Sequence, residues 1–132
     1  MSREELRVDG LPEPISHYTD AVRAGDLLFV SGIVPVDAEG ALVGGSDVVA
    51  QAEQVFALLG RVLAAAGAAP GDVVKVTLYL LDKDDRPRIN PVRQRFFGTA
   101  RPASTLVEVS GLAVPGARLE IEAVAHLSDA VR

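Results

Sequence analysis

Cysteine is absent from the 132 residues. That excludes disulfides, thiolate nucleophiles and cysteine-ligated metals. Histidine is scarce: His17 and His126 are the only two. They show no metal-type spacing, so no metal site is expected. Positive charge is in deficit, with 13 Lys and Arg against 18 Asp and Glu, a net charge of −5. Nucleic acid is therefore not an expected partner, because its phosphates demand a basic face. Arg86, Arg88, Arg93 and Arg95 do cluster, but Asp82, Asp84 and Asp85 stand just before them. The group reads as a solvated, salt-bridged helix surface. No run reaches the ~20 apolar residues of a membrane-spanning helix. The polar start, Met1 to Gly10, has no apolar stretch of the signal-peptide kind. A cytoplasmic protein without a membrane partner is the expectation.

Apolar residues make up 48% of the chain and the mean hydropathy is +0.25. Residues 1–132 read as a single domain, enough for one core burying about two-thirds of the unfolded surface. The apolar surplus points to further burial between subunits.

Glu4–Val8 reads as a short edge strand, and Pro12 and Pro14 forbid regular structure up to Ile15. Tyr18–Ala24 and Leu27–Gly32 read as strands joined by a tight turn at Ala24-Gly25-Asp26. A loop spans Pro35–Gly45. Val48, Ala52, Val55, Phe56, Leu59, Val62, Leu63 and Ala66 then form one apolar helical stripe. Ser46 or Asp47 caps its start, and Gly67 suits the position past its end. After a Pro70-Gly71 turn, Val73–Leu80 reads as a strand. Its apolar face is Val74, Val76, Leu78 and Leu80; its mixed face is Val73, Lys75, Thr77 and Tyr79. Asp84–Ile89 is a turn or short helical piece. A second helix is predicted from Pro91, capped by Asn90, to Phe96-Phe97. Ala103–Val109 and Leu119–His126 complete the strands, with a Pro115-Gly116 turn between them.

The last strand carries the strongest functional signal. Leu119, Ile121, Ala123 and Ala125 face one way, and Glu120, Glu122, Val124 and His126 the other. Two amphipathic helices are available to cover the apolar side of the sheet. The other side is too mixed for a dry core and too apolar to stay bare. A symmetric oligomer whose polar residues line inter-subunit clefts satisfies both demands. Glu122 and Glu108 read as structural acids pairing with Lys75 or Arg118.

Several motifs resemble one family in register over nearly the whole chain. They are Ser31-Gly32 with Pro35, Gln51-Ala52, the run from Gly71 to Thr77, and Asn90 ahead of Phe96-Phe97. Pro102-Ala103 ahead of Val107-Glu108-Val109 and the run from Leu119 to Ala123 complete the set. Together they are similar to the reactive intermediate deaminases, the Rid or YjgF family. The resemblance implies an α+β, chorismate-mutase-like subunit, a mixed sheet with two helices on one face, assembled as a homotrimer. It implies cofactor-free hydrolysis of a reactive imine or enamine small molecule. Glu120 then corresponds to the water-orienting glutamate and Tyr18 to the cleft tyrosine. Gly32 supplies backbone close to the ligand, and Asn90 matches the family asparagine. Ser104 stands where the deaminases carry an arginine that grips the substrate carboxylate, so a simple amino-acid-derived imine is not the expected substrate. Leu106 replaces a frequent cysteine and Ile33 a frequent glutamine, which makes the cleft more apolar. His17 adds a titratable group near the mouth, and Ser104 and Thr105 offer hydrogen bonds to a ligand. The alternative is a trimeric metabolite-binding or regulatory protein without turnover.

Overall fold

In the computed structural model, which describes residues 3–128, a six-stranded mixed sheet carries two helices on one face. The strands are β1 (Arg3–Leu6), β2 (Ala21–Ala24), β3 (Leu27–Ile33), β4 (Val73–Leu80), β5 (Ala103–Glu108) and β6 (Leu119–His126). Their order is β1-β2-β3-β6-β4-β5, with β4 and β5 parallel and every other pair antiparallel. The helices are α1 (Val48–Ala65) and α2 (Arg86–Phe97).

α1 forms as its sequence demands. The Asp47 carboxylate accepts from the Val49 and Ala50 amides, and Gly67 follows the helix at a φ of 76°. With a mean hydropathy of 1.4 over 18 residues, α1 is long and apolar enough to cross a membrane. Here that apolarity serves the core, for Val48, Ala52, Val55, Phe56, Leu59, Val62 and Leu63 are all buried. Opposite them lie Leu28, Val30, Val76, Leu78, Leu80, Leu119, Ile121, Ala123 and Ala125. Phe56 meets Phe96 and Phe97 at ring separations of 5.1 and 5.9 Å, fixing α2 to α1.

Three expectations need correction. The strand predicted from Tyr18 begins only at Ala21. Thr19 Oγ1 donates to the Leu6 carbonyl, and the buried Asp20 carboxylate accepts from the Val8 amide and Arg7. These side-chain bonds take the place of a ladder. In β4 it is Val73 that enters the core, while Val74 is 47% exposed. A register shift against β6 between Val73 and Lys75 breaks the alternation there. Finally, α2 starts at Arg86 and runs through Pro91, so Asn90 lies inside it and is no cap. The amide that Pro91 lacks would have bonded the Pro87 carbonyl in the first turn. The buried Ile89 and Val92 require the helix to continue across that gap.

Candidate functional site

β6 lies between β3 and β4, so the helix-free side of its residues faces a row of neighbours in register. Glu120 is opposite Tyr79 of β4, which pairs on with Val107 of β5. Glu122 is opposite Thr77, then Thr105; Val124 is opposite Lys75, then Ala103. On the other flank Phe29 of β3 pairs with Val124.

Beside Glu120, β3 carries a bulge: Val30 pairs with Ala123 and Ile33 with Ile121, so three residue steps answer two. Gly32 lies in this bulge, and the Glu120 side chain rests against it. A Cβ on Gly32 would overlap Glu120 Oε2. Glycine here is a requirement of that contact. The carboxylate borders a cleft of about 350 Å³ whose walls include Ile15, Tyr18, Ser31, Val34 and Val114. The Tyr18 hydroxyl accepts from the Ile15 amide at 3.3 Å, and Ser31 Oγ donates to the Thr19 carbonyl at 2.6 Å. These bonds tie the loop before β2 to the cleft wall.

Electrostatics single out the same place. Partial burial, and then the Glu122 carboxylate, push the Glu120 carboxyl above the usual glutamate range. The Tyr79 phenol is raised as well, by burial first, then by the charge of Glu122 and a hydrogen bond to it, with Glu120 adding a smaller push. Two carboxyls and a phenol thus share one sheet face, and the raised pKa of Tyr79 keeps it a hydrogen-bond donor to Glu122. Tyr79 was legible in sequence as a member of the mixed face of β4. Its position opposite Glu120 depends on strand order and register, which no local pattern encodes.

The residues singled out in sequence fall into separate places. Glu120, Tyr18 and Gly32 meet at the cleft. His17 lines a neighbouring hollow with Arg3, Glu5 and Thr19, which shares Ser16, Tyr18 and Ser31 with the Glu120 cleft. Ile33 does not face Glu120: at 5% exposure its side chain is in the core, because alternation past the bulge turns it toward the helices. Ser104 and Leu106 pair with the buried Val76 and Leu78, which puts them on the helix side of β5. Leu106 packs against the core, and Ser104 Oγ accepts from Arg93 Nη2 at 3.1 Å. Thr105 is on the open face and accepts from Lys75 Nζ at 2.6 Å. Asn90 lines a cleft between α2 and the segment leading into β5. Within one chain, therefore, Asn90, Ser104 and Leu106 do not share a pocket with Glu120.

The pairings expected for the acids also change. Glu108 Oε1 accepts from the Lys83 amide at 3.0 Å. Arg118 instead reaches Asp85 at 2.7 Å and the Ser46 carbonyl at 2.8 Å. The arginine cluster is only partly a solvated ion-pair surface. Arg88 bonds Asp85 and Arg95 pairs with Glu53, but Asp85 itself is buried.

Comparison with known proteins agrees with this architecture. The family model described as endoribonuclease L-PSP matches residues 10–127. The 3-aminoacrylate deaminase RutC of Acinetobacter baylyi is 36% identical over 127 residues, covering 96% of this chain and 100% of that protein. The yeast protein YEO7 superposes with a TM-score of 0.91 at 31% identity, over 96% of this chain and 100% of the other. Escherichia coli TdcF, solved with bound serine, gives 0.86 at 31% identity, over 95% and 99% of the two chains.

Proposed function

Because this chain belongs to the Rid (YjgF, endoribonuclease L-PSP) family, we propose that it hydrolyses a reactive imine or enamine to a carbonyl compound and ammonia. The observation that carries the reading is the Glu120 carboxyl. It is half buried, raised in pKa, and held against a glycine at the wall of a cleft.

The chemistry is redox-neutral and takes water as its one co-reactant. Water adds to the imine carbon while a proton passes to nitrogen. The carbinolamine then collapses, the C–N bond breaks, and ammonia leaves. Glu120 holds the attacking water and carries the proton between oxygen and nitrogen, a role suited to a carboxyl that titrates closer to neutrality. Tyr18 and Gly32 shape the space beside it. The similarity to a 3-aminoacrylate deaminase supports this class of substrate.

The placement of the remaining residues supports a site completed between copies. The half containing Glu120, Tyr18 and Gly32 belongs to the β3–β6 side of one subunit. The half containing Asn90 and Ser104 belongs to the α2–β5 edge of a neighbour in a homotrimer, with Thr105 on the opposite face of that strand. Ammonia release from a panel of small imines tests the reading. Glu120→Gln is expected to lower kcat by about 10²-fold or more, the scale of a lost general acid–base group. Equal rates for the two proteins, or no release above buffer with any imine, count against it.

A further inference from the structure

We propose that Arg93 is the anion anchor of this site, gripping a carboxylate on the substrate with a guanidinium that Ser104 braces. The inference deepens the deaminase reading and rests on it.

Asn90, Arg93, Gln94 and Phe97 recur at three- and four-residue spacing and so share one face of α2. That face, with Arg101 and Pro102, lines a cleft of about 600 Å³ beside the entry to β5. A chain with five more acids than bases thus presents two guanidiniums, two primary amides and no carboxylate on the walls of this cleft. Arg93 is half buried, and among the described residues its side-chain hydrogen bond runs to a neutral hydroxyl, Ser104 Oγ at 3.1 Å. Among the described residues, the arginine ion pairs engage Arg3, Arg7, Arg88, Arg95 and Arg118, and Arg93 is in none of them. Burial draws its pKa down from the ordinary arginine value, the mark of a charge lacking compensation.

A guanidinium has five N–H donors, and the bond to Ser104 uses one. The others form the planar fork that matches a carboxylate. Ser104 restricts the swing of the fork, which lowers the ordering cost when an anion arrives. Arg101, exposed and without a comparable brace, is not assigned this role. Arg93 is on the helix side of β5 and Glu120 on the open side of β6, with β4 between them. Within one copy the two cannot hold the same small substrate, so the anchor requires Arg93 of a second copy beside Glu120 in the proposed trimer.

Phenylacetate serves as the probe, with phenylacetamide as its neutral isostere and inorganic phosphate as the rival anion. Calorimetric titration of the wild-type assembly is expected to show phenylacetate binding at least about tenfold tighter than the amide, without competition from phosphate. Arg93→Gln should weaken phenylacetate by at least about tenfold and leave the amide unchanged. Arg93→Lys should fall between, and Arg95→Gln, outside this cleft on the same helix and paired with Glu53, should stay within about twofold of wild type. Circular dichroism and sedimentation identify any variant that has lost its fold, in which case Arg93→Lys decides. With a carboxylate-bearing imine, Arg93→Gln should raise KM by about tenfold with kcat within about threefold. Absent phenylacetate binding, phosphate competing equally, or indifference to Arg93→Gln overturns the anchor. Glu120→Gln separates the two ideas, since it should stop turnover and leave phenylacetate affinity intact. If no imine is turned over while Arg93→Gln still weakens phenylacetate, the anchor stands and the deaminase reading falls. If turnover depends on Glu120 but neither affinity nor KM responds to Arg93, the reverse holds.

Discussion

Two causes hold the Glu120 carboxyl above its ordinary pKa, burial foremost and the neighbouring Glu122 second, and a substitution can separate them. In the proposed reaction the base that holds water must be ionised, so turnover is expected to fall as pH descends through the raised pKa of Glu120. Glu122→Gln removes the like charge and keeps the burial. The acid limb of kcat/KM is expected to move to lower pH, with kcat on the plateau little changed; an unmoved limb assigns it to another group. The same shift has a stability consequence of fixed sign. The folded state binds this proton more tightly than the unfolded chain. The carboxyl's contribution to stability is thus complete below the ordinary glutamate pKa and is lost as pH rises through the folded-state value. Glu120→Gln removes that loss, and its Tm at neutral pH should exceed the wild-type value. A site residue that costs stability is the usual relation between function and folding.

At the scale of elements, one side chain joins three otherwise separate segments. Gln51 of α1 is fully buried; its Nε2 donates to the Gly45 carbonyl at 2.6 Å and the Gly116 carbonyl at 3.0 Å, and its Oε1 accepts from the Arg118 amide at 2.7 Å. The loop before α1, the helix and the lead into β6 are thereby fixed together. Gln51→Leu fills similar space but strands these backbone groups in the core. We expect a loss of about 2–4 kcal/mol, since each buried group left unpaired costs roughly 1–3 kcal/mol. Urea denaturation should show it as a lower midpoint at unchanged slope. The same elements show what the sequence discloses. The α1 stripe, the β6 alternation and the Gly67 stop were legible, because each follows a local period or a local φ requirement. The bulge at Val73–Lys75 was not, since one inserted residue reverses the alternation without altering composition. The late start of β2 was hidden for a related reason: Asp20 reads as an ordinary polar residue until its partners Arg7 and Val8 are brought beside it. Of the residues that meet at the candidate cleft, Glu120 and Gly32 stood out through the motifs that contain them and Tyr18 through the family resemblance alone. Tyr79 gains its meaning from strand register, and Arg93 from a contact between α2 and β5. Reading the four arginines as one solvated cluster concealed the member that faces Ser104.

On the scale of the whole molecule, the helix-free face of the sheet poses a solvation problem that a single copy does not solve. Phe29 is 45% exposed and Val107 38% exposed on a face that also holds Glu120, Glu122 and Lys75. Apolar side chains left in water on a broad sheet favour association, at roughly 1.5–3 kcal/mol for each large side chain newly buried. In the proposed trimer that gain recurs in every copy, and water is excluded from around Glu120 at the same time. Phe29→Asp tests this because Phe29 is not part of the buried core. The charge therefore burdens the assembly far more than the subunit. The expected outcome is a far-UV circular dichroism spectrum like the wild type, sedimentation as a monomer at micromolar concentration, and lost imine hydrolysis. Glu120→Gln should lose hydrolysis while sedimenting as the intact oligomer, which distinguishes damage to the chemistry from damage to its enclosure. A Phe29→Asp protein that stays trimeric would mean that this face does not hold the assembly, and a monomer that keeps its turnover would mean that the Glu120 cleft is complete within one chain.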